Sequence, residues 1–185
     1  NLPTHLKGGY GGNTACTEVS LNKTKILIDT GTGIRNSNND YLTEGCGNGT
    51  GIVNILFTHF HWDHILGLPF FIPLYIKGNQ INFYSVQDDT EEVVRTLFKK
   101  PFFPIAFEEL ESKINFIKLR PREINTIGEL EVTPYLLDHP DPCWGFKVSG
   151  NGKSYAHCVD NESIRSSRES LGEDLPLYQN IDLML

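Results

Sequence analysis

His59, His61, Asp63 and His64 fall within six consecutive positions of the stretch THFHWDH, residues 58–64, and account for three of the chain's six histidines. Imidazole and carboxylate are side chains that hold borderline divalent ions, so spacing decides whether several of them reach the same ion. The stretch follows the apolar run IVNILF. If the backbone continues extended through ILFTHFH, His59 and His61 project from one face, because strand side chains repeat every second residue. Two imidazoles then meet one ion. Asp63 and His64 are adjacent, point in different directions where the strand gives way, and address a neighbouring position. This geometry suits two metal sites. A lone core or surface histidine is a plainer reading for one residue, but not for four ligand-type residues this close together.

Those side chains need a sheet to carry them. KILID, closed by the turn TGTG, and IVNILFTH read as strands, the second apolar enough for burial on both faces. Between them RNSNNDYLTEGCGNGTG is polar and glycine-rich and reads as a surface loop. INFYSV and INFIKL are further strands. The segment DTEEVVRTLFKK between them carries apolar residues at helical spacing behind an Asp/Thr cap, which predicts a helix starting near Asp89 or Thr90. ELEVTPYLLDH and the pair WGFKVSG and GKSYAHCVD, turning at Gly150-Asn151-Gly152, complete a strand-rich second stretch. NIDLML reads as a strand cut off in mid-course. The alternation predicts a mixed α/β (α+β) layered architecture, with residues 1–185 forming a single domain.

The motif His59-x-His61-x-Asp63-His64 behind an apolar strand resembles the signature of the metallo-β-lactamase-fold hydrolases. YGGNTACTEV and ILIDTGTGIR resemble that superfamily's opening strands. HPDPCWGFKV resembles the histidine segment of the ribonuclease Z and phosphoribosyl cyclic phosphodiesterase branch, and GKSYAHCVD is similar to the strand that delivers the family's bridging aspartate. The resemblance implies an αββα sandwich. Carried over residue by residue, it implies that His139 completes a first site with His59 and His61, while Asp160 bridges to a second site with Asp63 and His64. Each has a plainer reading as well: His139, before Pro140, as an exposed loop histidine, and Asp160, before Asn161, as turn chemistry. Asp29 either orients the TGTG turn or accepts a hydrogen bond from a ligand histidine's other ring nitrogen. His157 is expected in a structural role on the opposite face from Asp160, Trp62 beneath the ligands, and Cys143 and Cys158 as small buried thiols. A full two-metal site of this family has a further histidine towards its C-terminal end. No histidine follows Asp160, so the chain is expected to be truncated at both ends and part of a longer protein.

Two divalent ions about 3.5–4 Å apart share a water, lower its pKa towards neutrality and clamp the oxygens of a phosphodiester. The resemblance therefore implies a binuclear metal-dependent hydrolase working through a metal-bound hydroxide, which Asp63 could also orient. HPDPCWGF points to a phosphodiesterase; ester, thioester or lactam hydrolysis and a catalytically silent binding module are the alternatives. Zn²⁺ suits the donor set best, with Mn²⁺ or Fe²⁺ as alternatives. Net charge is −7, with 23 acidic and 16 scattered basic residues. That balance disfavours a long nucleic acid and favours a small cyclic or linear phosphodiester. KPFFPIAF, residues 100–107, furnishes either an apolar wall beside a nucleobase or ordinary packing. No apolar stretch approaches the roughly 20 residues of a membrane span. Four dispersed cysteines without a C-x-x-C pair predict free thiols in a reducing, cytoplasmic setting.

Overall fold

The computed structural model of the chain describes residues 11–185. Tyr10, the first residue of YGGNTACTEV, lies outside them. The remainder of that segment leads into β1 (Thr17–Leu21), which forms an antiparallel hairpin with β2 (Thr24–Ile28). Strands β3 (Ile52–Leu56), β4 (Gln80–Ser85) and β5 (Lys113–Lys118) add in parallel, giving the order β1-β2-β3-β4-β5. In the second sheet β6 (Asn125–Ile127), β7 (Leu130–Leu136), β8 (Trp144–Gly150) and β9 (Lys153–His157) pair antiparallel in sequence order. Strand β10 (Leu183–Met184) runs parallel to β9 at its edge.

Parallel neighbours require crossovers, and here one expectation fails. The polar segment after Gly33, expected as a surface loop, folds as helix α1 (Ile34–Thr43) between β2 and β3. Its sequence IRNSNNDYLT is rich in poor helix formers, and only Ile34 and Tyr41 are buried. Tertiary docking of those two residues on the sheet, rather than propensity or a strong apolar stripe, holds the helix. Helix α3 (Thr90–Leu97) begins where the Asp/Thr cap predicts and makes the crossover between β4 and β5, burying Val94 and Leu97. Two short helices, α2 (Trp62–Ile65) and α4 (Arg168–Leu171), follow β3 and β9.

Period-two alternation sorts the apolar side chains into layers. Leu27, Val53, Ile55, Ile81 and Phe83 face the helices, packing with Ile34, Tyr41, Val94 and Leu97. Ile26, Ile28 and Leu56 face the other way and meet Leu130, Val132, Phe146 and Val148 of the second sheet. Tyr135, Ala156 and Leu177 close a third layer on the outer side of that sheet. The result is the helix-sheet-sheet-helix sandwich expected from the resemblance. Each large side chain fully buried in it contributes about 1.5–3 kcal/mol. The Asn in each of IVNIL, QINFYS and KINFIK sits at matching register, and the amides of Asn54, Asn82 and Asn115 hydrogen-bond in sequence across β3, β4 and β5. That ladder satisfies polar groups inside otherwise apolar strands. Among the described residues no helix is long and apolar enough to cross a membrane.

Candidate metal centre

Strand β3 stops at Leu56, so the histidines do not continue an extended strand as expected. Residues 57–61 form a loop that leaves the sheet end, with His61 as the N-cap of α2. The loop is pinned on both sides: Phe57 N–H donates to Tyr84 O at 3.0 Å, Trp144 N–H to Thr58 O at 3.0 Å, and Thr30 N–H to His64 O at 2.7 Å. It also lies hard against the TGTG turn. A methyl group added at Gly31 would collide with Asp63 O, and one added at Gly67 with Gly31 O. Glycine is required there because backbone meets backbone.

His59 and His61 come together despite the lost strand geometry, with ring centroids 4.6 Å apart. His139, in the loop after β7, joins them, its ring centroid 4.8 Å from that of His59. Asp160 lies in a turn three residues beyond β9, at φ 55°. Among the described residues, two sets of three donor atoms lie within 4.8 Å of one another: His59, His61 and His139, and His59, His64 and Asp160. The sets share His59. Asp63 belongs to neither; its side chain is 58% exposed, and Oδ2 stands 3.5 Å from His64 Nε2.

Hydrogen bonds orient the ring nitrogens. Asp29 is fully buried, and its carboxylate accepts from Thr58 N–H and from the Thr58 hydroxyl, each at 2.8 Å, and from His64 Nδ1–H at 2.8 Å. Thr58 has committed its proton to Asp29, so its oxygen accepts from His59 Nδ1–H at 3.0 Å. Cys143 Sγ stands 3.5 Å from the same nitrogen. On the exposed side, Asp141 Oδ2 accepts from His61 Nε2–H at 2.8 Å. His59 and His61 thus each donate from one nitrogen outward and turn the other, with its lone pair, inward. His61 Nδ1 faces His139 Nε2 at 3.2 Å. His59 Nε2 is buried and has no hydrogen-bond partner among the described residues. A buried polar atom without a partner is costly, and lone pairs converging on one another and on a carboxylate are what a cation relieves. These donors fit a divalent ion.

At His59 the protonation behaviour agrees, and at His64 it does not. Burial, reinforced by the neighbouring His64, pushes the His59 pKa down to about 4 and keeps the ring neutral near pH 7. Burial also pulls on His64, but the Asp29 hydrogen bond and the charges of Asp29, Asp160 and Asp63 outweigh it and hold its pKa above the usual histidine value. A positive charge on the His64 ring is stabilised by those carboxylates, with Nε2 3.0 Å from Asp160 Oδ2. Burial pushes the Cys143 thiol up to about 12, so beside His59 it is a packed neutral group. All four thiols are unpaired.

Other expectations are met or corrected nearby. Trp62 does not pack beneath the ligands. It opens helix α2, which turns its side chain outward to 63% exposure. His157 is buried and bonded through Nδ1 to the Tyr155 hydroxyl at 2.8 Å. Phe103 and Phe107 of KPFFPIAF pack edge-on against Phe98. A cavity of about 440 Å³ opens beside the histidines, with Gln87, Asp88, Asp89 and Asp141 in its wall. Thr58 and Asp141 were missed from the sequence. Thr58 precedes the motif directly and Asp141 follows His139 by two residues, so proximity was the available signal.

Residues 24–185 match the beta-lactamase superfamily domain. The chain belongs to this family. Its curated relatives include ribonuclease Z of Clostridium acetobutylicum, 32% identical over 142 residues, covering 73% of this chain and 43% of that protein. Ribonuclease Z of Thermococcus kodakarensis is 30% identical over 133 residues, covering 65% and 36%. The chain spans less than half the length of these relatives. The metallo-beta-lactamase fold protein YhfI from Bacillus subtilis superposes with a TM-score of 0.66 at 16% identity, over 92% of this chain and 61% of that one. Yeast PDE1 superposes with a TM-score of 0.58 at 17% identity, over 85% and 64%. At those identities the superpositions speak for the metallo-β-lactamase fold alone. The fold implies divalent metal, and the two donor sets are its candidate sites in this chain.

Proposed function

We propose that this chain carries the metal-binding part of a hydrolase that cleaves phosphodiesters with two divalent ions, zinc first and manganese or iron as alternatives. The observation that carries the proposal is the pair of donor sets meeting at His59, whose buried Nε2 has no hydrogen-bond partner among the described residues. His59, His61 and His139 would hold one ion, and His64, Asp160 and Asp63 would hold a second, with Asp160 as the carboxylate shared between them. When bound, such ions lower the pKa of water towards neutrality and neutralise the oxygens of a phosphodiester. The chain's own groups orient that chemistry. Asp29 holds His64 directly and His59 through Thr58, Asp141 holds His61, and Asp63 lies where it can accept a proton from a water entering from solvent. Phosphodiester chemistry is supported by HPDPCWGF and by relatives named ribonuclease Z.

A small diester is the first choice of substrate, because net charge is −7 and three aspartates line the adjacent cavity. The relatives' names favour a second reading, RNA. The deciding experiment uses the full-length protein, stripped of metal and reloaded with Zn²⁺ or Mn²⁺, against bis(p-nitrophenyl) phosphate, a structured RNA, a thioester and a lactam. Diester turnover that vanishes on chelation and returns with metal is expected. Undiminished turnover after verified metal removal would sink the proposal; turnover of the thioester or lactam alone would relocate it. Elemental analysis separates the ligand roles: Asp160→Ala should damage both sites together and Asp63→Ala should chiefly empty the second. Two tightly held ions in folded Asp160→Ala would return Asp160 to turn chemistry.

A further inference from the structure

His139 and Asp160 lie in loops, after β7 and β9 respectively, so no strand ladder sets their separation. What joins the loops is a set of bonds between the residue before His139 and the residues after Asp160. Asp138 N–H donates to Asn161 Oδ1 at 3.3 Å, and Asp138 O accepts from Glu162 N–H at 2.8 Å. The Asp138 carboxylate accepts from Arg165 N–H at 2.6 Å and from Arg165 Nε. The same guanidinium reaches Leu136 O and the buried Asp174 carboxylate, each at 2.8 Å. The backbone between is wound tightly, with Asp160 at φ 55° and Ser163 at φ 53°. Left-handed backbone at residues other than glycine persists where its surroundings over-determine it.

The geometry points to Asp138 and Arg165 as positioning residues for metal binding: a clamp that sets the distance from His139 to Asp160 and so tunes both donor sets at once. The inference rests on the reading of those two residues as ligands. A guanidinium suits the task because its rigid fork bonds Asp138, Leu136 O and Asp174 together, which a lysine ammonium on a flexible stem does not reproduce. A purely structural role predicts something different, and Arg122 supplies the control. Arg122 bonds Asp174 through Nε at 2.9 Å and Nη2 at 3.1 Å, and is not bonded to Asp138.

The test is Zn²⁺ affinity at both sites, measured by competition with a chelating dye in the full-length protein, beside the thermal midpoint of each metal-free variant. Arg165→Met should weaken both sites about tenfold or more, and Arg165→Lys should fail to restore them. Arg122→Met should lower the midpoint comparably yet leave affinity within about twofold, well short of what loss of a ligand-orienting partner costs. If Arg165→Met does not fold, Asn161→Ala, which leaves the ion pair and removes the bond to Asp138 N–H, is expected to weaken both sites in the same direction. Unchanged affinity in a folded Arg165→Met, or equal weakening by Arg122→Met, overturns the clamp. His139→Ala and Asp160→Ala separate the two ideas. If they lose metal while Arg165→Met does not, only the clamp falls. If neither loses metal, the ligand reading falls and the clamp with it.

Discussion

The segment 57–65 and the pair of loops that hold His139 and Asp160 bring donors to one centre by opposite means. In the first, His59 and His64 are almost fully buried, the backbone is bonded to β4, to β8 and to the turn after β2, and one buried carboxylate, Asp29, organises both rings. In the second, the Asp160 side chain is 36% exposed, and order comes from an ion pair, Arg165 with Asp138, that solvent reaches. One side is organised by packing before any ion arrives. The other is organised by charge, which water and salt weaken. The difference predicts unequal consequences when each support is removed.

The largest effect is expected at Asp29. Asp29→Ala strands the Thr58 N–H, the Thr58 hydroxyl and His64 Nδ1–H in the interior, at a cost of about 3 kcal/mol or more. Asp29→Asn keeps an acceptor and tolerates the positive φ of 63°, so it should fall between wild type and alanine. Denaturant unfolding of metal-free protein measures both, and a loss under about 1 kcal/mol for the alanine variant would erase the contrast between the two sides.

Asp174 should come next. Burial raises its pKa, but hydrogen bonds from Arg122, Arg165 and Leu136 N–H outweigh that and hold the carboxyl below the usual range. A lowered folded pKa means that the native state binds fewer protons. The stabilisation is therefore complete above the unfolded value, near 4, and fades as pH falls through the folded one. Asp174→Asn should cost about 2 kcal/mol at pH 7, discounted because both arginines remain partly in water. The gap between variant and wild type should narrow as pH falls below about 4 and close below the folded value. A gap that persists there would show packing, not charge, to be the support.

A smaller change is expected from Asp141→Asn, because the His61 side chain is 42% exposed and Asp141 is 69% exposed. Zn²⁺ affinity of the three-histidine set should drop about three- to tenfold, less than for a buried partner. A drop as large as that of His61→Ala would make Asp141 a ligand in its own right. Least of all should follow from Arg95→Met, which removes exposed pairs with Glu91 and Glu108 and keeps an apolar stem against Phe107. That variant should stay within about 0.5 kcal/mol of wild type in thermal unfolding, and a larger loss would show surface charge contributing more than this comparison allows.

The same contrast explains what could be read from the chain beforehand. His59, His61, Asp63 and His64 are contiguous, and strands such as KILID and INFYSV announce themselves by period and composition, so they were legible. His139 and Asp160 emerged through family resemblance, because their partners are far away in sequence. The Asp138–Arg165 pair, 27 residues apart, and the His61–Asp141 bond, 80 apart, leave no local signature: a single Arg or Asp in a polar loop looks like a solvated charge. Helix α1 was hidden for the opposite reason. Its Asn and Ser residues argue locally against a helix, and only the need to cross between parallel strands, with Ile34 and Tyr41 as anchors, overrides them. Trp62 followed from the extended strand that the bend at Thr58 abolishes.

The glycine contacts beneath the motif also govern how slowly this part of the protein opens. Thr30 N–H is bonded to His64 O, Gly67 N–H to Thr30 O and Asp29 N–H to Leu56 O, all at 2.7–2.8 Å, with no room for a side chain at Gly31 or Gly67. Exchange of these three amides with deuterium requires the turn and the histidine loop to part together, so they should share one protection factor set by a cooperative opening. The amides of Ser163 and Arg165, bonded to side-chain oxygens across a partly hydrated clamp, open by a separate route and should exchange much sooner, on a clock of their own.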